Sequence, residues 1–137
     1  MQGDRKPVKN PPKPPVYKAA LDLDVQYCRS TKKAPQDVKY THINRLHDAL
    51  IEIVTAIAFA NETQDAQERA DFISRAADDL RNMKIRVRVL YDLHYITKKG
   101  FTAISGAEEN VARQLAGWQK STEDRINNPI VKQSLAE

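Results

Sequence analysis

The sequence predicts an all-α chain, an antiparallel up-down four-helix bundle. Three observations carry this. Apolar residues recur at helical spacing in four successive segments, the connections between those segments are short, and only four glycines occur in 137 residues. The remainder is rich in Ala, Leu, Ile, Arg, Lys, Glu and Gln, residues that favour helix. A chain of this length holds one domain with a real core.

Taken in order, residues 1–15 form a basic arm in which Pro7, Pro11, Pro12, Pro14 and Pro15 forbid helix. With four cations against one acid, this arm is expected to be disordered alone and suited to lying along an acidic partner. The bundle is expected over residues 16–125 and a flexible tail, broken by Pro129, over 126–137. A first helix should run from Val16 to Thr31, with Tyr17, Ala20, Leu21 and Cys28 on one face, stopped by Pro35. A second should begin near Asp37 or Tyr40 and reach Ala60, with Ile43, Leu46, Leu50, Ile53, Val54 and Ile57 inward. Asn61 suits a left-handed helix end. Asp65 and Glu68 match a capping box, so a third helix should span Asp65 to Thr97, closed by Lys98-Lys99-Gly100. A fourth, from Thr102 to Arg125, repeats Ile104, Val111, Leu115 and Trp118, and Gly117 suits close packing beside Trp118.

The third helix carries two apolar stripes. Phe72, Ile73, Ala76, Leu80, Met83, Val87, Leu90 and Tyr91 make the ordinary core face. Ile85, Val89, Leu93 and Ile96 recur at intervals of four, four and three and point elsewhere. Leaving them in water would forgo roughly 1.5–3 kcal/mol per side chain. A lone bundle buries only the first stripe, so Ile85, Val89, Leu93 and Ile96 are expected to form an interface between copies. The competing account tucks Leu93 and Ile96 under a loop of the same chain.

Charge is segregated along that helix. Residues 62–79 hold six acids against two arginines, and residues 80–100 hold six cations against one acid. The helix dipole explains part of this, but acts only over the terminal turns. Arg81, Lys84, Arg86 and Arg88, with Lys98 and Lys99 second, are therefore the candidate partner-binding cations. A basic ridge of this kind binds phosphate without reading sequence. The net charge of +4 and isoelectric point near 9.2 agree with a nucleic-acid partner.

Other classes are weakly represented. No segment has the length of a membrane span, and the N-terminus lacks the apolar run of a secretory signal. The single cysteine, Cys28, excludes an internal disulfide, fits a reducing cytoplasm and reads as a small core residue. His42, His47 and His94 show no metal-ligand spacing, so no metal and no cofactor are expected. No nucleotide-cradling glycine loop or nucleophile elbow occurs, and no catalytic residue is assigned. Arg88 and His94 loosely resemble the Arg-x(4–6)-His signature of the helical HEPN ribonucleases. Residues six apart, however, stand about 240° apart on a helix.

A more specific likeness lies in Tyr17 to Leu21, the Thr31-Lys-Lys-Ala-Pro35 break, Arg45-Leu46, Ala60-Asn61, Arg69 and the run Arg113-Gln-Leu-Ala-Gly-Trp118-Gln-Lys-Ser121. Over residues 16–122 the chain resembles the small four-helix-bundle family that includes the accessory variability determinant (Avd) of diversity-generating retroelements. Proteins encoded in ribosomal RNA intervening sequences share that bundle. The resemblance implies a homopentameric barrel with a basic surface that binds the reverse transcriptase and its template RNA, supports mutagenic cDNA synthesis, and has no catalytic activity of its own. The alternatives are an orphan bundle of the intervening-sequence kind and, further off, a HEPN-like ribonuclease.

Overall fold

The computed structural model describes residues 11–128, so most of the basic arm and of the C-terminal tail lie outside the described residues. Helix α1 is Pro15–Ser30. Helix α2 covers 36–62: a first turn at Gln36–Val38, a π-helical turn at Lys39–Ile43 and the regular helix Asn44–Glu62. Helix α3 is Ala66–Asp92 and α4 is Lys98–Asn127. The fold is all-helical, as the periodicity predicts. Each helix packs on its sequence neighbours, and α4 returns to close on α1, leaving the diagonal pairs apart. The core is one continuous cluster, with Leu23 and Tyr27 from α1, Leu50 and Ile57 from α2, Leu80 and Val87 from α3, and Ile104 and Leu115 from α4.

Polar groups at the helix ends are satisfied by particular side chains. Proline suits the first position of α1 because its missing N–H has no intrahelical acceptor there. At the other end, Thr31 is buried and its hydroxyl donates to the Tyr27 carbonyl at 2.9 Å. The Tyr27 hydroxyl in turn donates to the Ile43 carbonyl at 3.0 Å, tying α1 to the π-helical turn of α2. Between α2 and α3 the Arg69 guanidinium donates to the carbonyls of Ala60 and Thr63 at 2.8 and 2.6 Å, satisfying acceptors that the end of α2 leaves open. The expected capping box is not formed. Asp65 makes no side-chain cap, and its own N–H donates instead to the Thr63 hydroxyl at 3.3 Å. Nor does Asn61 adopt a left-handed conformation. It stays helical and its amide donates to the Pro12 carbonyl at 3.1 Å, beside a Lys13–Glu62 ion pair, so the last residues of the arm lie against the end of α2.

Three further expectations need correction. The third helix stops at Asp92 rather than Thr97, and Lys98-Lys99-Gly100 open α4 rather than closing α3. The stop is a Schellman closure: Tyr95 N–H donates to Leu90 O and His94 N–H to Tyr91 O, each at 2.9 Å. That motif needs one residue in the left-handed region, and His94 takes it with φ 68°. A histidine gives no glycine-like signal, so the sequence conceals the stop. The side chain of His94 is exposed. Cys28 is exposed rather than core, because it lies at the rim of α1. Gly117 has open space around it, with nothing within 4 Å of a would-be Cβ, and Trp118 is only half-buried.

The core also contains one carboxyl. Glu108 on α4 is 3% exposed, and its Oε2 has no hydrogen-bond partner. Burial pushes the carboxyl up to about 7; Lys84 pulls against the rise, and Glu109 adds to it.

Two predictions follow from these elements. His94→Gly relieves the left-handed strain and should stabilise the fold by about 1 kcal/mol, read as a higher denaturant midpoint. An unchanged or lower midpoint would mean that the side chain makes contacts worth more than the strain. Glu108 keeps its proton in the folded chain to about pH 7 and releases it near 4.5 when unfolded, so stability falls as pH rises through that window. Glu108→Gln should melt above the parent at pH 8 by roughly 2–3 kcal/mol, with the gap closing towards pH 5. Parallel curves for the two proteins would show that the carboxyl is not held protonated.

Candidate nucleic-acid and partner interface

Up-down topology places the end of α1 and the α3–α4 turn at the same end of the bundle. Between them opens a cleft of about 680 Å³. Arg29 and Ser30 come from the last turn of α1, Lys32 and Lys33 from the following loop, and His94, Tyr95, Thr97 and Lys99 from the turn and the start of α4. Gly100 sets how closely the two sides approach. A Cβ there would stand 3.0 Å from Ser30 Oγ and 3.3 Å from Ile96 Cγ2, so a larger residue would push α4 off α1. Thr97 caps α4, its hydroxyl accepting from the Gly100 N–H at 3.0 Å.

The electrostatics of this cleft are one-sided. Arg29, Lys32, Lys33 and Lys99 line it, and among the described residues no aspartate or glutamate does. None of the four is among the ion pairs of the described residues. The start of α4 adds the positive end of a 30-residue helix. Like charges gathered without counter-charges attract an anion, and the polar Gln26, Ser30 and Thr97 supply neutral hydrogen-bonding groups beside them.

The ridge cations on α3 are differently placed. Lys84 pairs with Glu109 of α4 at 3.0 Å, Arg88 with Asp92 at 3.0 Å, and Arg81 with Asp78. Arg86 faces the other way, along the α2–α3 groove with Arg45, Asp48, Glu52 and Asp79. The structure thus sets Arg86 apart from the other three and gives those three carboxylate partners. Lys99 enters the cleft, whereas Lys98 lines a neighbouring hollow with Tyr91, Asp92 and His94. Lys32 and Lys33 were legible only as part of the break that closes the first helix, and Arg29 carried no signal. The signal that finds them is topological, since antiparallel helices put the basic Thr31–Pro35 loop beside the basic start of α4.

Of the second apolar stripe, Ile85, Val89 and Leu93 are 65%, 47% and 51% exposed. They run down the outer face of α3, one turn apart. Ile96 does not belong with them. Because α3 ends at Asp92 and the chain reverses, Ile96 is 3% exposed and packs in the core of its own chain. The loop account therefore holds for Ile96 and not for Leu93. Of the two residues of the ribonuclease-like motif, Arg88 donates to Asp92 at 3.0 Å, and His94 sits in the left-handed position of the turn.

No helix among the described residues is long and apolar enough to cross a membrane. No protein-family model matches the chain, and no curated protein matches it.

Proposed function

We propose that this chain is a non-catalytic accessory protein of a diversity-generating retroelement, an Avd-like homo-oligomer that binds template RNA and the reverse transcriptase to support mutagenic copying into cDNA. The observation that carries the reading is the cleft in which Arg29, Lys32, Lys33 and Lys99 meet with no acid among the described residues that line it. Phosphate entering it gains charge-assisted hydrogen bonds at no cost in broken ion pairs. On the ridge, phosphate must first displace Asp78, Glu109 or Asp92 from Arg81, Lys84 or Arg88. RNA is therefore assigned first to the cleft and only second to the ridge.

Self-association rests on Ile85, Val89 and Leu93. Three neighbouring apolar side chains about half exposed or more form a contiguous patch, unlike the scattered single exposures found on most surfaces. A pentamer follows from the Avd resemblance. It would repeat the cationic cleft around a ring, and repetition raises the affinity for a long polyanion by avidity. The intervening-sequence alternative shares the bundle and differs in lacking a polymerase partner.

Fluorescence anisotropy on single-stranded RNA, over a series of salt concentrations, tests this directly. Replacing Arg29, Lys32, Lys33 and Lys99 with Gln should weaken binding at least about tenfold and make the log–log salt slope shallower by about 3, from four lost phosphate contacts. Equal affinity and slope in variant and parent would remove the cleft from RNA binding. Co-purification with a retroelement reverse transcriptase supports the polymerase half of the reading, and its failure with RNA binding intact favours the orphan alternative.

A further inference from the structure

Where α1 packs on α2, three side chains of different chemistry converge away from the cationic cleft. Asp24 and Cys28 stand one turn apart on α1, and His47 comes from α2, just beyond the π-helical turn. His47 Nδ1 lies 2.8 Å from Asp24 Oδ1 and 3.8 Å from Cys28 Sγ, while Cys28 Sγ lies 3.6 Å from Asp24 Oδ1. A search for ligands along single helices misses this group, because it is assembled across a helix–helix seam.

Two accounts of the trio differ in which histidine nitrogen is used. A Cys-His-Asp catalytic relay needs both ring nitrogens, one towards the thiol and the other towards the carboxylate. Here the same Nδ1 faces both partners, so no relay can run through the ring. Three potential donor atoms this close to one another instead describe a coordination triangle. For zinc, with bonds of about 2.3 Å to sulfur and 2.0–2.2 Å to nitrogen and oxygen, the edges of a tetrahedron measure roughly 3.3–3.6 Å. The sulfur–oxygen edge already fits, and the sulfur–nitrogen edge is close. Only the nitrogen–oxygen edge, now at hydrogen-bond length, must open, by roughly 0.5 Å.

We propose that Asp24, Cys28 and His47 form a site for a zinc-class transition metal, with the fourth position open to solvent or to a ligand from a partner. The mixed thiolate, imidazole and carboxylate set selects a borderline ion over magnesium or calcium, which take oxygen ligands. The site is accessible: Cys28 is exposed, and the His47 and Asp24 side chains are 41% and 16% exposed. Binding releases the Cys28 thiol proton to solvent and requires His47 to be neutral, so affinity rises with pH. The bound ion would cross-link α1 to α2 near the Tyr27–Ile43 bond and stabilise the fold in proportion to its occupancy.

The test is titration of the reduced, chelator-treated full chain with Co²⁺. The expected result is a thiolate-to-cobalt charge-transfer band saturating at one metal per chain, abolished by Zn²⁺ and absent in Cys28→Ser. His47→Gln and Asp24→Asn, checked for helicity by circular dichroism, should bind at least about tenfold more weakly, the order that losing even an outer partner costs. Zn²⁺ should raise the melting temperature of the parent and not that of Cys28→Ser. A folded parent with no charge-transfer band would overturn the site. So would full affinity in both His47→Gln and Asp24→Asn, since the thiol would then be acting alone.

Discussion

The reversal at His94 is the constraint on which both surfaces of this protein depend. By entering the left-handed region at the end of α3, it satisfies the carbonyls of Leu90 and Tyr91 and turns the chain within a few residues. Ile96 is thereby carried into the core, Thr97 caps α4, and Lys99 arrives opposite the end of α1. The same stop leaves Leu93 outside as the last member of the apolar stripe. Had α3 continued to Thr97, the stripe would have been longer and the cleft would have lost one wall. Gly100 completes the geometry, because its lack of a side chain lets the start of α4 lie against Ser30.

Electrostatics then separate two groups of cations that composition alone would pool. On α3, Arg81, Lys84 and Arg88 each face a carboxylate, an arrangement that stabilises an exposed surface only slightly and leaves little net charge to attract a polyanion. At the end of the bundle, Arg29, Lys32, Lys33 and Lys99 have no such partners among the described residues. Placing them together costs repulsion that a bound anion would relieve. Glu108 is the counterpart inside: a carboxyl kept in the core, where burial favours the neutral acid. Its proton links the stability of the α3–α4 seam to pH near neutrality.

Much of the fold was legible because it rests on periodicity. The inward residues of α2 and α3 follow the 3.6-residue repeat, and Leu46, Leu50, Ile57, Leu80 and Val87 are buried as that repeat requires. What escaped the sequence depends on single conformations or on contacts between helices. The end of α3 hinged on one histidine with positive φ, which carries no compositional mark. The capping box at Asp65 lost to Thr63 and Arg69, which satisfy the same corner by other bonds. The sequence puts Cys28 on one face with Tyr17 and Leu21, yet Leu21 and Cys28 are exposed, and Ala20, Leu23 and Tyr27 are the residues α1 turns inward. The cleft cations and the Asp24–Cys28–His47 group are each built from two or three segments, so their proximity follows from topology and not from spacing.

Ile85, Val89 and Leu93 leave an exposed apolar strip along α3, and the proposed self-association requires that another copy cover it. The most direct measurement is the mass of the unmodified protein by sedimentation velocity at micromolar concentration. The account predicts a species that is a discrete multiple of the 15.6 kDa chain and persists on moderate dilution. A stable species of single-chain mass across that range would contradict it.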